Sequence, residues 1–284
     1  MIDRLMASIA VMAALTASGV RAEGHGPAFA LATPTLGKGQ WSSDTSVMSM
    51  ATGETTAYTF REMIGYGIHE DLQAILTVPL GSSGQSLLHA PRTRAGTMMG
   101  SGRDVEASLL WRFDREAPAI GTRRESSIIF SVAAPTEERR ARTRVGTSTH
   151  LGVVTGFASR ETYWWLGGGY QHYFEEDRDR LGDLYYLSAA FAWRPPVFQQ
   201  DYPKPDWRIF VEALAEHTEK NTIEGEDDPD SSGDKFLVGP SVLGLFGPWG
   251  VSAGILFPVA QDLKGDGDLF EERYRAKLVL TYWF

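Results

Sequence analysis

The sequence predicts a single-domain, all-β protein, a twelve-stranded antiparallel transmembrane β-barrel of a bacterial outer membrane. Three observations predict it: segments of about ten residues in which apolar and polar side chains alternate, an N-terminal export signal, and a last strand that ends on Phe284. A soluble β-sandwich shows the same alternation, so the connections between the strands decide between the two folds.

Residues 1–22 are predicted to be a cleavable signal peptide. Arg4 precedes an apolar core at residues 6–15, and small or modest side chains lead to a cleavage position after Ala22. Residues 23–38 are rich in Gly and Pro and are predicted to form either a loose periplasmic leader or a plug in the lumen. Residues 39–284 are predicted to form the barrel.

Twelve segments in this part of the chain have the period of two that is typical of strands. They are residues 40–51, 56–67, 72–80, 103–113, 126–134, 148–159, 162–174, 183–193, 207–218, 235–245, 249–259 and 272–284.

The connections favour the barrel over the sandwich. If the first strand starts in the periplasm, three of the five connections on that side are tight turns, whereas five of the six on the other side have eight residues or more. Short periplasmic turns, long external loops and an even strand count are typical of outer-membrane barrels.

The last strand carries two predictions. Phe284, Tyr282 and Leu280 share one face and resemble the C-terminal signal that the outer-membrane assembly machinery recognises. If that face contacts lipid, the opposite face points into the lumen. The predicted lumen-lining residues are Arg273, Arg275 and Lys277 on this strand and Arg208, Glu212 and Glu216 on the ninth strand. We expect the carboxylates to pair with only part of the basic row Arg273, Arg275 and Lys277, and its surplus positive charge to favour anionic or electron-rich solutes.

The composition limits other chemistry. The 284-residue chain contains no Cys, which excludes thiol catalysis and Cys-ligated metals. Its formal charge is −9, so nucleic acid is not an expected partner. No cofactor is expected.

Two motifs suggest other sites only weakly. Residues 250–254 match the nucleophile pattern Gly-x-Ser-x-Gly, but Ser252 lacks a downstream His and the segment has the pattern of a strand. His150 and His172 would form a weak Zn or Cu site only if the strands pair them on one face; pairing Ser159 with Thr162 instead sends them to opposite faces.

The mature sequence also resembles a known family. The segments 26–29, 37–41 and 66–73 look like the start of the outer-membrane transporters grouped with the phenol-degradation-pathway proteins. Segments 155–160, 206–212 and 238–240 resemble members associated with metal-resistance gene clusters. The resemblance implies an outer-membrane barrel whose cargo ranges from small hydrophobic aromatics to metal ions, and it assigns no functional residue.

Together these features predict a channel that passes a small solute and is not an enzyme. Twelve strands enclose a lumen between the filled interior of eight-stranded barrels and the open channels of larger ones. The expected partners are outer-membrane lipid and lipopolysaccharide, the assembly machinery and the solute. The alternatives are a structural or adhesive barrel without transport and, less favoured, a lipid-modifying barrel enzyme.

Overall fold

The computed structural model describes residues 26–53, 55–83, 104–137, 146–199, 204–265 and 271–284. The predicted signal peptide, residues 1–22, lies outside them. No helix in the described parts of the chain is long and apolar enough to cross a membrane.

Twelve antiparallel strands form a closed barrel, as the sequence predicts. Every predicted strand is present, with ends shifted by a few residues. The barrel strands are β1 (Trp41–Thr52), β2 (Thr55–His69), β3 (Leu72–Ser83), β4 (Asp104–Glu116), β5 (Arg123–Pro135), β6 (Ser148–Ala158), β7 (Thr162–Tyr173), β8 (Leu184–Trp193), β9 (Asp206–Thr218), β12 (Gly233–Phe246), β13 (Trp249–Leu263) and β14 (Glu272–Trp283).

Three short elements were not predicted. Strands β10 (Asn221–Ile223) and β11 (Glu226–Asp228) form a separate hairpin in the connection between β9 and β12. A single 3-10 turn, Pro196–Phe198, lies between β8 and β9.

Sequence neighbours pair around the barrel, and β1 closes it by pairing with β14. Trp41 and Phe284 exchange backbone hydrogen bonds of 2.9 and 3.1 Å at this seam. We call the end of the barrel that holds them the turn end, because the tight β2–β3, β6–β7 and β12–β13 turns lie there. The opposite end, with the long connections, is the loop end.

The two faces of the barrel wall differ strongly. Along β4, buried and exposed residues alternate, with Asp104, Glu106 and Arg112 buried and Leu109 and Trp111 exposed. This pattern recurs on the other strands and inverts that of a soluble protein, because the charges point inward and the apolar side chains point outward. An outer surface of this kind matches lipid.

Candidate functional site

Residues 26–36 lie inside the barrel. Their side chains form one buried apolar cluster with inward-facing side chains of the barrel strands, among them Phe210, Leu214 and Leu256. The buried members of the segment are Pro27, Ala28, Phe29, Ala30, Leu31, Ala32, Thr33, Thr35 and Leu36. The structure thus places the described part of the Gly/Pro-rich segment against the inner wall.

Glu212 on β9 is the main anchor of this segment. Its carboxylate accepts backbone hydrogen bonds from Ala28 at 2.8 Å, from Phe29 at 2.7 Å and from Ala30 at 2.7 Å. The Ser241 hydroxyl donates to the same carboxylate. A buried carboxylate that receives this many donors is well compensated for its loss of water, and the three amides obtain the acceptor they need.

Lys277 binds the same part of the segment through a backbone carbonyl group. Its ammonium group on β14 donates a 2.7 Å hydrogen bond to the carbonyl oxygen of Ala28. The side chain is almost fully buried. Ala28 is therefore fixed through its N–H by an anion and through its C=O by a cation.

Further contacts follow the segment toward the turn end. The Leu31 amide donates to the Ser188 hydroxyl at 3.2 Å, and the Leu36 amide donates to the Gln73 side chain at 3.0 Å. The Thr33 hydroxyl donates to Glu125 and accepts from the indole N–H of Trp165, each at 3.1 Å. The segment is thus bonded to strands on several sides of the barrel.

Two strand glycines make room for the segment. A Cβ at Gly254 would lie 2.8 Å from the Phe29 ring, and one at Gly167 would lie 3.0 Å from a Leu31 methyl group. Both distances are too short for ordinary carbon contacts. Gly167 is the first of three consecutive glycines on β7, and the inner segment is one of the groups packed against it.

The structure separates the three members of the basic row. Arg275 and Lys277 are buried inside the barrel, together with Glu212 and Glu216, and Arg208 is mostly buried on the same inner face of β9. Arg273 is exposed, so its predicted position in the lumen is wrong. The β1–β14 pairing shifts register between Ala51 and Thr52, leaving Arg273 as an extra residue opposite no partner, and this bulge turns its side chain outward.

The expected surplus of positive charge is also absent from this row. Arg275 contacts Glu216 at 2.9 and 3.0 Å and Glu272 at 2.8 and 2.9 Å. Lys235 adds a second cation to Glu272 at 3.2 Å. Arg275 therefore links two carboxylates of the wall, and both of them neutralise its charge.

The described part of the inner wall carries more acidic than basic groups. Among its buried strand residues, seven are acidic and four are basic. The acidic residues are Asp44, Asp104, Glu106, Glu125, Glu212, Glu216 and Glu272, and the basic residues are Arg61, Arg112, Arg275 and Lys277. The mostly buried Lys235 and Arg208 reduce this difference without reversing it.

A second charged cluster lies at the turn end. Arg112 donates to Glu125 at 2.8 Å and to Asp71 at 2.9 and 3.0 Å. Arg123 approaches the same Glu125 oxygen at 3.2 Å. Since the other oxygen of Glu125 accepts from Thr33, this cluster connects the wall to the inner segment.

The two histidines point to opposite faces. The β6–β7 turn pairs His150 with Gln171, and the Ser159 amide donates to the Thr162 carbonyl at 2.8 Å. His150 is buried and lies 2.9 Å from the Tyr186 hydroxyl, whereas His172 faces outward. The prediction of a Zn or Cu site shared by the two histidines is therefore wrong. In the described part of the chain, no group of three or more His, Cys, Asp or Glu residues is arranged to hold a metal ion.

His172 instead takes part in a polar cluster at the loop end. Its Nδ1 lies 2.9 Å from Asp183, which also accepts from the Tyr170 hydroxyl and, at 3.2 Å, from the Tyr173 amide. Burial raises the pKa of Asp183, but these hydrogen bonds outweigh it and hold the pKa below its usual value. The cluster closes the connection between β7 and β8.

The weak nucleophile motif is an ordinary part of the wall. Residues 250–254 lie within β13, paired with both neighbouring strands, and Ser252 faces inward and is buried. A nucleophile elbow needs a strand-to-helix turn that exposes the serine, and this geometry is absent from β13.

Aromatic side chains surround the barrel seam at the turn end. Trp41 lies 4.5 Å from Tyr66 and 6.4 Å from Phe284, measured between ring centroids. Tyr282 lies 4.6 Å from Trp249 and 5.9 Å from Phe284. Outward-facing aromatic clusters at one end of a barrel are typical of the membrane–water interface.

A closed barrel with an apolar outer wall, a charged inner wall and an aromatic belt defines the class of outer-membrane β-barrel proteins. Comparison with solved structures agrees. An outer-membrane channel from Pseudomonas putida F1 matches 89% of this chain and 98% of its own, with a TM-score of 0.63 at 10% sequence identity. The NanC porin matches 84% of this chain and 98% of its own, at 7% identity and a TM-score of 0.48. The KdgM porin matches 86% and 99%, at 10% identity and a TM-score of 0.44.

No protein-family model and no curated protein matches the sequence. At 10% identity, the likeness to the Pseudomonas channel shows a common fold. Membership of the phenol-degradation-pathway family remains a prediction from the sequence motifs.

Proposed function

We propose that the protein is an outer-membrane channel for a small solute, and that residues 26–36 close its lumen in the state described above. The observation that carries the proposal is the anchoring of this segment inside a closed barrel by Glu212 and Lys277. A backbone buried in the lumen needs hydrogen-bond partners, and here side chains of the barrel wall supply them. Polar bonds to its backbone fix its position and can be exchanged for water when it leaves.

The orientation follows from the connections. The turn end faces the periplasm and the loop end faces the exterior, as in other outer-membrane barrels. Export depends on the predicted signal peptide, residues 1–22, and insertion depends on the assembly machinery. Lipid surrounds the outer wall, and lipopolysaccharide meets the loop end.

The solute is not selected by the basic row. Because Arg275 is paired and Arg273 lies outside, the acidic surplus of the inner wall sets the sign of the field in the open lumen. Displacement of the segment exposes Glu212 and Lys277 together and leaves this balance unchanged. We therefore expect a weak preference for cations or neutral solutes.

Deletion of residues 26–36 tests the proposal. In planar bilayers, the intact protein should show rare or small openings, and the deletion variant should conduct continuously. A synthetic peptide of residues 26–36 added from one side should reduce that conductance again. A folded deletion variant without conductance would contradict the channel and favour a structural or adhesive barrel. A folded barrel migrates faster on a gel in the unboiled sample than in the boiled one, and this comparison verifies that the variant is folded.

Assembly is expected to depend on Phe284. This residue stacks on Trp41 across the seam and on Tyr282 of its own strand. Phe284→Asp should reduce the folded protein in the outer membrane several-fold while export continues, as measured by gel mobility of membrane fractions. Ile120→Asp, at a fully exposed site in the β4–β5 turn, is the control and should assemble normally. Normal assembly of Phe284→Asp would mean that the terminal aromatic is not a signal.

A further inference from the structure

A small cavity lies between the inner segment and the turn end of the wall. Its volume is about 210 Å³, smaller than the pockets that hold drug-sized ligands. Thr33 and Pro34 form one side, and residues from the turn ends of β5, β6, β7 and β9 form the others. The cavity is thus bounded by both the segment and the barrel.

Aromatic side chains supply its apolar walls. Tyr163 and Trp165 stack with ring centroids 5.9 Å apart and an interplanar angle of 11°. Walls of this kind favour a ligand with a flat apolar body.

Arg208 supplies the polar group that is free to bind. Its guanidinium carbon lies 4.9 Å from the Tyr163 ring centre, and its ion pair with Asp206 is long, at 3.6 Å. The Arg208 Nε–H is buried and has no hydrogen-bond partner among the described residues. A buried donor without an acceptor favours a ligand that brings one.

The carboxylate in the cavity does not compete for this donor. Both oxygens of Glu125 are already occupied, one by Arg112 and Arg123 and the other by the Thr33 hydroxyl. Arg123 is already paired with Glu125, so Arg208, with its long ion pair, is the cation of the cavity lining that remains for a ligand. The complementary ligand is therefore an anion, and a carboxylate matches the guanidinium geometry.

We propose that this cavity binds a small planar carboxylate from the periplasm, and that its binding stabilises the closed state. This coupling between ligand binding and the closed state rests on the proposed channel function. It follows from the residues that form the cavity. Because Thr33 and Pro34 form part of it, the site is complete only while the segment is in place. A ligand that binds one state of an equilibrium shifts the equilibrium toward that state.

Benzoate is the probe for binding, and benzamide is its uncharged counterpart of the same shape. Calorimetry on the full-length protein in detergent should detect benzoate binding, and Arg208→Gln should weaken it by about tenfold or more. Arg124→Gln is the matched control, because Arg124 is exposed and pairs with Asp114 and Glu116 away from the cavity. It should leave binding unchanged. Ala158→Leu, which fills the cavity without changing a charge, should also weaken binding.

Coupling is measured through a single cysteine. The chain contains none, so Ala30→Cys introduces a unique thiol at a buried position of the segment. Benzoate should slow its reaction with a water-soluble maleimide, and benzamide should not.

The proposal is overturned if benzamide binds as well as benzoate, if Arg208→Gln and Ala158→Leu both bind like the unmodified protein, or if bound benzoate leaves the labelling rate unchanged. Calorimetry does not depend on conductance. Absence of benzoate binding, which contradicts the proposed cavity site, is therefore distinguishable from absence of conductance, which contradicts the proposed channel.

Discussion

Glu212→Gln is expected to release the inner segment from the barrel. The carboxylate accepts three backbone N–H groups, whereas a glutamine amide has one oxygen and presents N–H donors on its other side. At least one buried amide loses its acceptor, at a cost of about 1–3 kcal/mol, and the remaining bonds lose their charge. In the Ala30→Cys background, labelling should accelerate by about tenfold or more, and bilayer conductance should rise with it.

Glu216→Gln is the matched control for this result. Glu216 lies four positions farther along β9, on the same buried inner face, but its partner is Arg275 and not the segment. It should leave the labelling of Cys at position 30 nearly unchanged while the barrel stays folded. If the Cys at position 30 is labelled at the same rate in both variants, Glu212 stabilises the barrel and does not hold the inner segment in place.

Much of this architecture could be predicted from the sequence because a membrane barrel has a simple alternation. The period of two fixes which residues share a face, so Glu212, Glu216, Arg275 and Lys277 were predicted on the inner face where the structure places them. The same rule predicted that His150 and His172 separate if Ser159 pairs with Thr162.

Local irregularities are beyond such a rule. Arg273 sits in a β-bulge, which adds one residue to a strand and reverses the face of its side chain, and nothing in the alternation marks it. Glu62 is a second exception, because it lies opposite exposed Thr45 on the outer face and accepts a 2.7 Å hydrogen bond from it. Its partners are local hydroxyl groups, which the apolar pattern of the outer face does not reveal.

The position of the inner segment depends on contacts between distant parts of the chain. Ala28 and Glu212 are 184 positions apart, and the glycines that accommodate Phe29 and Leu31 lie on β7 and β13. From the sequence, residues 23–38 were equally compatible with a loose leader, since composition predicts no partner. The feature of the sequence that corresponds to this position is the combination of inward-facing glycines with the inward-facing Glu212.

Arg275→Met is expected to produce the largest loss of stability in the barrel wall. Arg275 is fully buried and bonds both Glu216 and Glu272. Its removal leaves these carboxylates inside the wall with one fewer cation, and breaking a buried ion pair in this way costs about 3–5 kcal/mol. The temperature at which the compact gel band converts to the unfolded band should fall clearly. Arg273→Met, two residues away but exposed, should change it little.

A double variant distinguishes two causes of this loss of stability. One is a buried carboxylate left without its cation, and the other is poorer packing around position 275. In Arg275→Met with Glu216→Met, the ion pair is replaced by apolar side chains of similar volume, and Glu272 keeps Lys235 at 3.2 Å. Because well-packed apolar residues replace buried ion pairs at little cost, the double variant should recover most of the stability lost in Arg275→Met. If it is less stable than the single variant, the loss comes from packing around Arg275. Recovery would establish that Arg275 stabilises the wall as the partner of a buried carboxylate.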